Sequence, residues 1–162
     1  RTLLTDGTAT YVRVQRGIFQ TTGAATVTNV SVMGGTANII AKSPTNSAGT
    51  ALSVYGGSVT IARPFTTINV YGGTLTINVY SAAAATTTVN QYGGTVVLLA
   101  HGNNVITTYN HFGGTFDPSR LRVDTTITTY IRQFGAAFTS RPNGAPLTLT
   151  NSYRKDPNIG PI

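Results

Sequence analysis

Apolar and polar residues alternate along this chain in short runs, and the runs come in pairs hinged by glycine. Ile68-Asn69-Val70-Tyr71 leads into Gly72-Gly73, and Thr74-Leu75-Thr76-Ile77 follows. Alternation with period two marks a strand that buries one face. The same arrangement recurs at Gly34-Gly35, Gly56-Gly57, Gly93-Gly94 and Gly113-Gly114, with Gly135-Ala136 as a degraded sixth copy. First glycines are separated by 22, 16, 21, 20 and 22 residues. Hairpin meanders turn about every eight to twelve residues, whereas a period of about 20 belongs to stacked coils. The pattern predicts an all-β fold: a single-stranded parallel β-solenoid, or β-helix, of about 5–6 coils with about 20 residues per coil and irregular capping ends.

Aligning the copies on their glycines gives columns. Val30, Leu52, Ile68, Val89 and Tyr109 form one, and Val32, Val54, Val70, Gln91 and His111 form a second on the same, inward side. The polar Gln91 and His111 predict looser packing, or a tilt towards a partner, in the later coils. Beyond the glycines, Ala37, Val59, Leu75, Val96 and Phe116 belong to the core, followed by Ile39, Ile61, Ile77 and Leu98. β-Branched residues dominate these positions, which favours strand over helix. Paired glycines are expected as hinges because a residue without Cβ tolerates positive φ and lets successive turns approach closely.

The periodic region spans 23–138. Residues 1–22, with the alternating run Tyr11-Val12-Arg13-Val14, form an N-terminal cap or docking strand. Residues 139–162 hold four of the seven prolines and form a C-terminal cap or arm. Proline lacks a ladder donor, so this arm is expected to end strand addition. In the sixth copy the threonine pair Thr128-Thr129 sits one residue out of phase, which suggests a bulge or the onset of a cap. The chain opens on Arg1 rather than Met, as a processed product or a fragment does.

Composition narrows the chemistry. There is no Glu, and the four acids are Asp6, Asp117, Asp124 and Asp156. Paired carboxylates for glycoside hydrolysis are therefore scarce. Only Asp117 and Asp124 are neighbours in sequence, and Arg120 and Arg122 between them favour ion pairing. His101 and His111 have no Cys, Asp or Glu at ligand spacing, so no metal is expected. Tyr71-Gly72-Gly73-Thr74 lacks a phosphate-loop lysine, and no cofactor is expected. Absence of cysteine leaves packing and hydrogen bonding as the only sources of durability. The net charge of +7 predicts an anionic partner. Basic residues are scattered singly and no apolar run spans a bilayer, so nucleic acid and membrane are not expected partners.

Two outward columns are candidates for binding. Tyr55, Tyr71, Tyr92 and Phe112, with Phe134 as a possible continuation, form an aromatic ladder with a step of about 4.8 Å. Such a ladder can close a corner of its own solenoid, bury against another subunit, or grip a glycan. Asn69, Asn90 and Asn110 form a second column suited to a side-chain amide ladder. Threonine columns such as Thr74-x-Thr76 are compatible with ice binding, but Val97 and Asp117 interrupt them. Arg132, Arg141, Arg154 and Lys155 near the C-terminal end are the candidate basic docking residues.

The segments Thr67-Ile68-Asn69-Val70-Tyr71-Gly72-Gly73-Thr74-Leu75 and Thr108-Tyr109-Asn110-His111-Phe112-Gly113-Gly114-Thr115-Phe116-Asp117 resemble β-solenoid repeats in structural proteins of tailed-bacteriophage virions, over about residues 26–151. The resemblance implies a non-enzymatic structural protein on a virion surface, a capsid decoration or a tail- or fibre-associated rod that docks on the shell. Its partners would be capsid or tail proteins and further copies of itself. The alternative function is a carbohydrate-binding adhesin that uses the aromatic ladder on host-surface glycans.

Overall fold

The computed structural model describes residues 2–5, 7–21, 25–40, 49–79, 86–99, 105–121, 125–133, 135–138 and 147–155. These residues form strands and bends without a helix. The strands are, in chain order, β1 (Thr2–Thr5), β2 (Thr8–Val14), β3 (Ile18–Thr21), β4 (Thr26–Val32), β5 (Thr36–Ile39), β6 (Gly49–Val54), β7 (Ser58–Ile61) and β8 (Phe65–Val70). Then follow β9 (Thr74–Ile77), β10 (Thr86–Gln91), β11 (Thr95–Leu98), β12 (Val105–His111), β13 (Thr115–Asp117), β14 (Thr125–Gln133), β15 (Ala137–Phe138) and β16 (Leu147–Lys155). Even-numbered strands make one eight-stranded sheet and odd-numbered strands another. Every pairing is parallel, and each strand lies beside the one a full turn earlier. The chain is a β-solenoid with about 21 residues per turn.

The columns read from the sequence are the register of the sheets. Leu52 pairs with Ile68, Ile68 with Val89, and Val89 with Tyr109. All four are fully buried, as are Val59, Leu75, Val96 and Phe116 from the facing sheet. A one-residue slip would turn each strand's apolar set to solvent, so burial fixes the register.

The bend between the two sheets explains the glycines. Gly73 has φ of 74°, and a Cβ there would stand 2.5 Å from the carbonyl oxygen of Gly57 on the previous turn. Gly72 needs no special φ, but its Cβ would stand 2.7 Å from the Tyr55 carbonyl oxygen. One glycine answers a conformational demand and both answer a close approach. The approach allows the Thr74 amide to donate to Gly57 and the Thr95 amide to Gly73, each at 2.9 Å.

Both sheets run beyond residues 23–138. β1, β2 and β3 add to them at the N-terminal side through Arg16-Gly17, where Gly17 alone has positive φ. At the other side β16 pairs in parallel with β14, from Thr125 opposite Leu147 to Gln133 opposite Lys155, so the proline-rich segment still contributes a strand. The out-of-phase sixth copy also has a location. β14 stays in register with β12 as far as Arg132 opposite His111, while Ala137 pairs with Thr115. The extra residue therefore sits in the bend, between Arg132 and Ala137.

Gly73→Ala combines left-handed strain of about 1–3 kcal/mol with a backbone clash. Gly135→Ala carries the strain alone, because a Cβ there meets nothing within 4 Å. Denaturant unfolding is expected to show a larger stability loss for Gly73→Ala than for Gly135→Ala.

Candidate functional site

The aromatic column stands on the outer face, at the end of each long strand just before the glycine bend. Tyr55, Tyr71 and Tyr92 are 46%, 45% and 48% exposed. Their rings are stacked nearly parallel, with centroids 4.8 Å apart for Tyr55–Tyr71 and 5.0 Å for Tyr71–Tyr92, and Phe112 continues the stack at 5.0 Å. The step is the strand spacing itself, so backbone register sets the ring geometry. Stacking covers the ring faces within the column and leaves a ridge of ring edges and phenolic hydroxyls. Partial desolvation in the stack raises the Tyr71 pKa, and the neighbouring Tyr55 and Tyr92 phenols raise it further.

Beside the ridge, two residues back along each strand, runs the amide ladder. Asn90 Nδ2 donates to Asn69 Oδ1 at 2.9 Å, and Asn110 Nδ2 donates to Asn90 Oδ1 at 2.8 Å. Each amide faces the next turn's partner in a fixed orientation. Thr67, Thr88 and Thr108 form the next in-register column. The face is therefore three parallel columns, of threonine, asparagine and aromatic residues, repeating at the strand spacing.

Under this face the polar inner column is packed without looseness. Gln91 and His111 are both fully buried. Gln91 Oε1 accepts from the Tyr109 hydroxyl at 2.7 Å, and Nε2 donates to the carbonyls of Gly94 and Thr115. His111 Nε2 lies 3.2 Å from the Gly114 carbonyl and Nδ1 lies 2.8 Å from the Tyr130 hydroxyl. A carbonyl only accepts, so Nε2 carries the proton and Nδ1 receives the hydrogen bond from Tyr130. Sequence suggested a loosened or tilted region here. Carbonyls of their own bends and partners one turn further along satisfy these groups instead, and buried polar groups so satisfied cost little.

Burial among the rings lowers the His111 pKa from 6.5; donation to Gly114 opposes this, and the nearby Arg132 charge adds to it. Burial pushes the Tyr130 phenol up to about 12 despite the pull of Arg132.

Of the basic candidates, Arg132 and Arg154 have described side chains. Arg132 and Arg154 are opposite each other in register, but Arg132 is half-buried and donates through Nε and Nη2 to the Ala136 carbonyl. It closes the last bend, as Gln91 and His111 close theirs. Arg154 is exposed on β16. Arg141 and the Lys155 side chain lie outside the described residues. Phe134 does too, and the register of β14 puts Gln133 level with Phe112. A cation that the sequence did not single out, Arg63, is buried, donates to the Ala25 carbonyl at 3.4 Å and sits 5.8 Å from the Phe65 ring centroid. Its neighbours in sequence, Ala62 and Pro64-Phe65, were the available signal that this arginine lies in an apolar corner.

Asp117 is the one carboxylate among the described residues, and its Oδ1 accepts from the Ser119 amide at 2.9 Å, a turn contact. Asp124 and His101 lie outside them. Comparison with known proteins returns no matching family model, no similar curated protein and no similar solved structure.

His111 yields a pH prediction. As pH falls below about 6.5 the unfolded chain takes up a proton that the folded chain, with its lowered pKa, does not. Stability present above that pH is lost as pH falls through the folded value. Thermal melts are expected to show this loss in the wild type and a smaller one in His111→Gln, whose amide retains a donor for Gly114 and an acceptor for Tyr130.

Proposed function

We propose that the chain is a non-enzymatic structural protein of a virion surface, a rigid β-solenoid that docks laterally through the aromatic ridge. The observation that carries the docking role is the stack of Tyr55, Tyr71 and Tyr92, nearly half exposed on a face held rigid by its own register. Ring edges and hydroxyls combine an apolar body with a polar tip, which is the chemistry enriched at protein interfaces. The amide ladder beside them adds donors and acceptors at a regular step. The virion assignment rests on the likeness of the repeats to phage structural proteins, and a second copy is a further candidate for the same ridge.

The carbohydrate-binding alternative needs a ring face for the sugar to lie on. In this ladder the faces of Tyr71 and Tyr92 are covered by their neighbours, which favours a protein contact over a glycan platform.

Electron microscopy of the source particles is expected to show a rod at regular positions on shell or tail. Tyr71→Ser combined with Tyr92→Ser should weaken retention on the particle at least about tenfold while circular dichroism stays unchanged. A free monomer absent from every particle fraction contradicts the proposal. Glycan-array binding lost in the same variant supports the alternative.

A further inference from the structure

The outer face of the even-numbered strands has a relief that the stack repeats from β6 to β14. On each of these turns a short side chain, a medium one and a long one follow along the strand, as in Ala51, Ser53 and Tyr55 or Thr88, Asn90 and Tyr92. All three columns are at least partly exposed on every one of these turns. None of their residues is charged, in a chain of net charge +7. The ring column is tall and continuous, and the short column runs parallel to it on the far side of the amides.

We propose that this face pairs with the same face of a second copy, about a two-fold axis parallel to the rods. That rotation sets each copy's rings against the other's short column, and medium residues against medium. Tall meets short at every turn, so the surfaces interdigitate as well-packed layers do. Both copies then run in one direction with their turns level. A two-fold axis along the strands would set ring on ring and leave a gap over the amides.

Three properties select a second copy as the occupant of the ridge when the chain is free in solution. The relief repeats at the strand spacing, and a second solenoid carries that repeat in every column, as sheets do when paired ladders form dry interfaces. The charge-free columns let two basic chains meet without like charges in contact, a depletion typical of interface centres. Five turns of about 4.8 Å by five residues of about 3.4 Å give a face of about 24 Å by 17 Å. With the relief of the ridge, two such faces bury about 1,000 Å², the least that a specific interface needs and the size of a reversible pair. The inference rests on the ridge as a docking surface, not on the virion.

The test is sedimentation of the purified full chain over a range of concentrations. A reversible dimer is expected, strengthened by added salt because salt screens the repulsion between the two net charges. Tyr71→Ser with Tyr92→Ser should weaken it at least about tenfold with circular dichroism unchanged. In this cysteine-free chain, Ser53→Cys should cross-link to its own counterpart through a short bifunctional maleimide, and Thr76→Cys, on the other sheet, should not. The proposal is overturned if the chain stays monomeric, if salt dissociates the dimer, if the tyrosine substitutions leave it unchanged, or if Ser53→Cys cross-links no better than Thr76→Cys. No particle is involved, so this test and the retention test can fail separately.

Discussion

The distance between successive turns at the glycine bend is the constraint on which the rest of this structure depends. A Cβ at Gly57 would stand 2.3 Å from the Gly35 carbonyl oxygen, and at Gly94 2.5 Å from that of Gly73. Side chains are excluded at these points, so backbone rests on backbone and the bend carbonyls pair with the next turn's amides. A stack held this way has one register. That register in turn brings like residues together, valine on valine inside, asparagine on asparagine and tyrosine on tyrosine outside. The exposed ladders are thus consequences of the bend, and their spacing is the strand spacing.

Much of this was legible in the sequence because both the strand period and the coil period leave marks. The core columns, the amide ladder and the aromatic stack follow from alternation aligned on glycine. The missed features share a physical reason. Only the second glycine of a pair needs positive φ, so Arg16-Gly17 makes a bend that a search for pairs passes over. Gln91 and His111 look like flaws in an apolar column when each is viewed alone. They are satisfied by Tyr109 and Tyr130, residues about one coil further along the chain, and by carbonyls of bends whose shape no local pattern discloses. Arg132 reads as a surface cation until its neighbour, the Ala136 carbonyl, is in place.

The interior also changes character along the rod. Early turns pack mainly Val, Leu and Ile, with Phe19 and Phe65 among them, while the later ones gather Tyr109, Phe116, Tyr130 and Phe138 into one chain of ring contacts beside His111. Larger rings carry hydroxyls inward, and Gln91 and His111 receive them. A purely aliphatic column at Gln91 and His111 would leave those phenols without partners, at about 1–3 kcal/mol each. The polar residues thus allow an aromatic core, and do not interrupt the outer face that the proposed docking uses.

Register is the central claim, and a chain without cysteine makes it directly measurable. Tyr55→Cys combined with Tyr71→Cys places two thiols level on adjacent turns, where the strand spacing of about 4.8 Å falls within the Cα range of a disulfide. Tyr55→Cys with Asn69→Cys places them diagonally, about 7–8 Å apart. After mild oxidation, mass spectrometry of proteolytic fragments is predicted to find the disulfide in the first pair and not in the second. A disulfide in the second pair only, or in neither, contradicts the stacking on which the whole account rests.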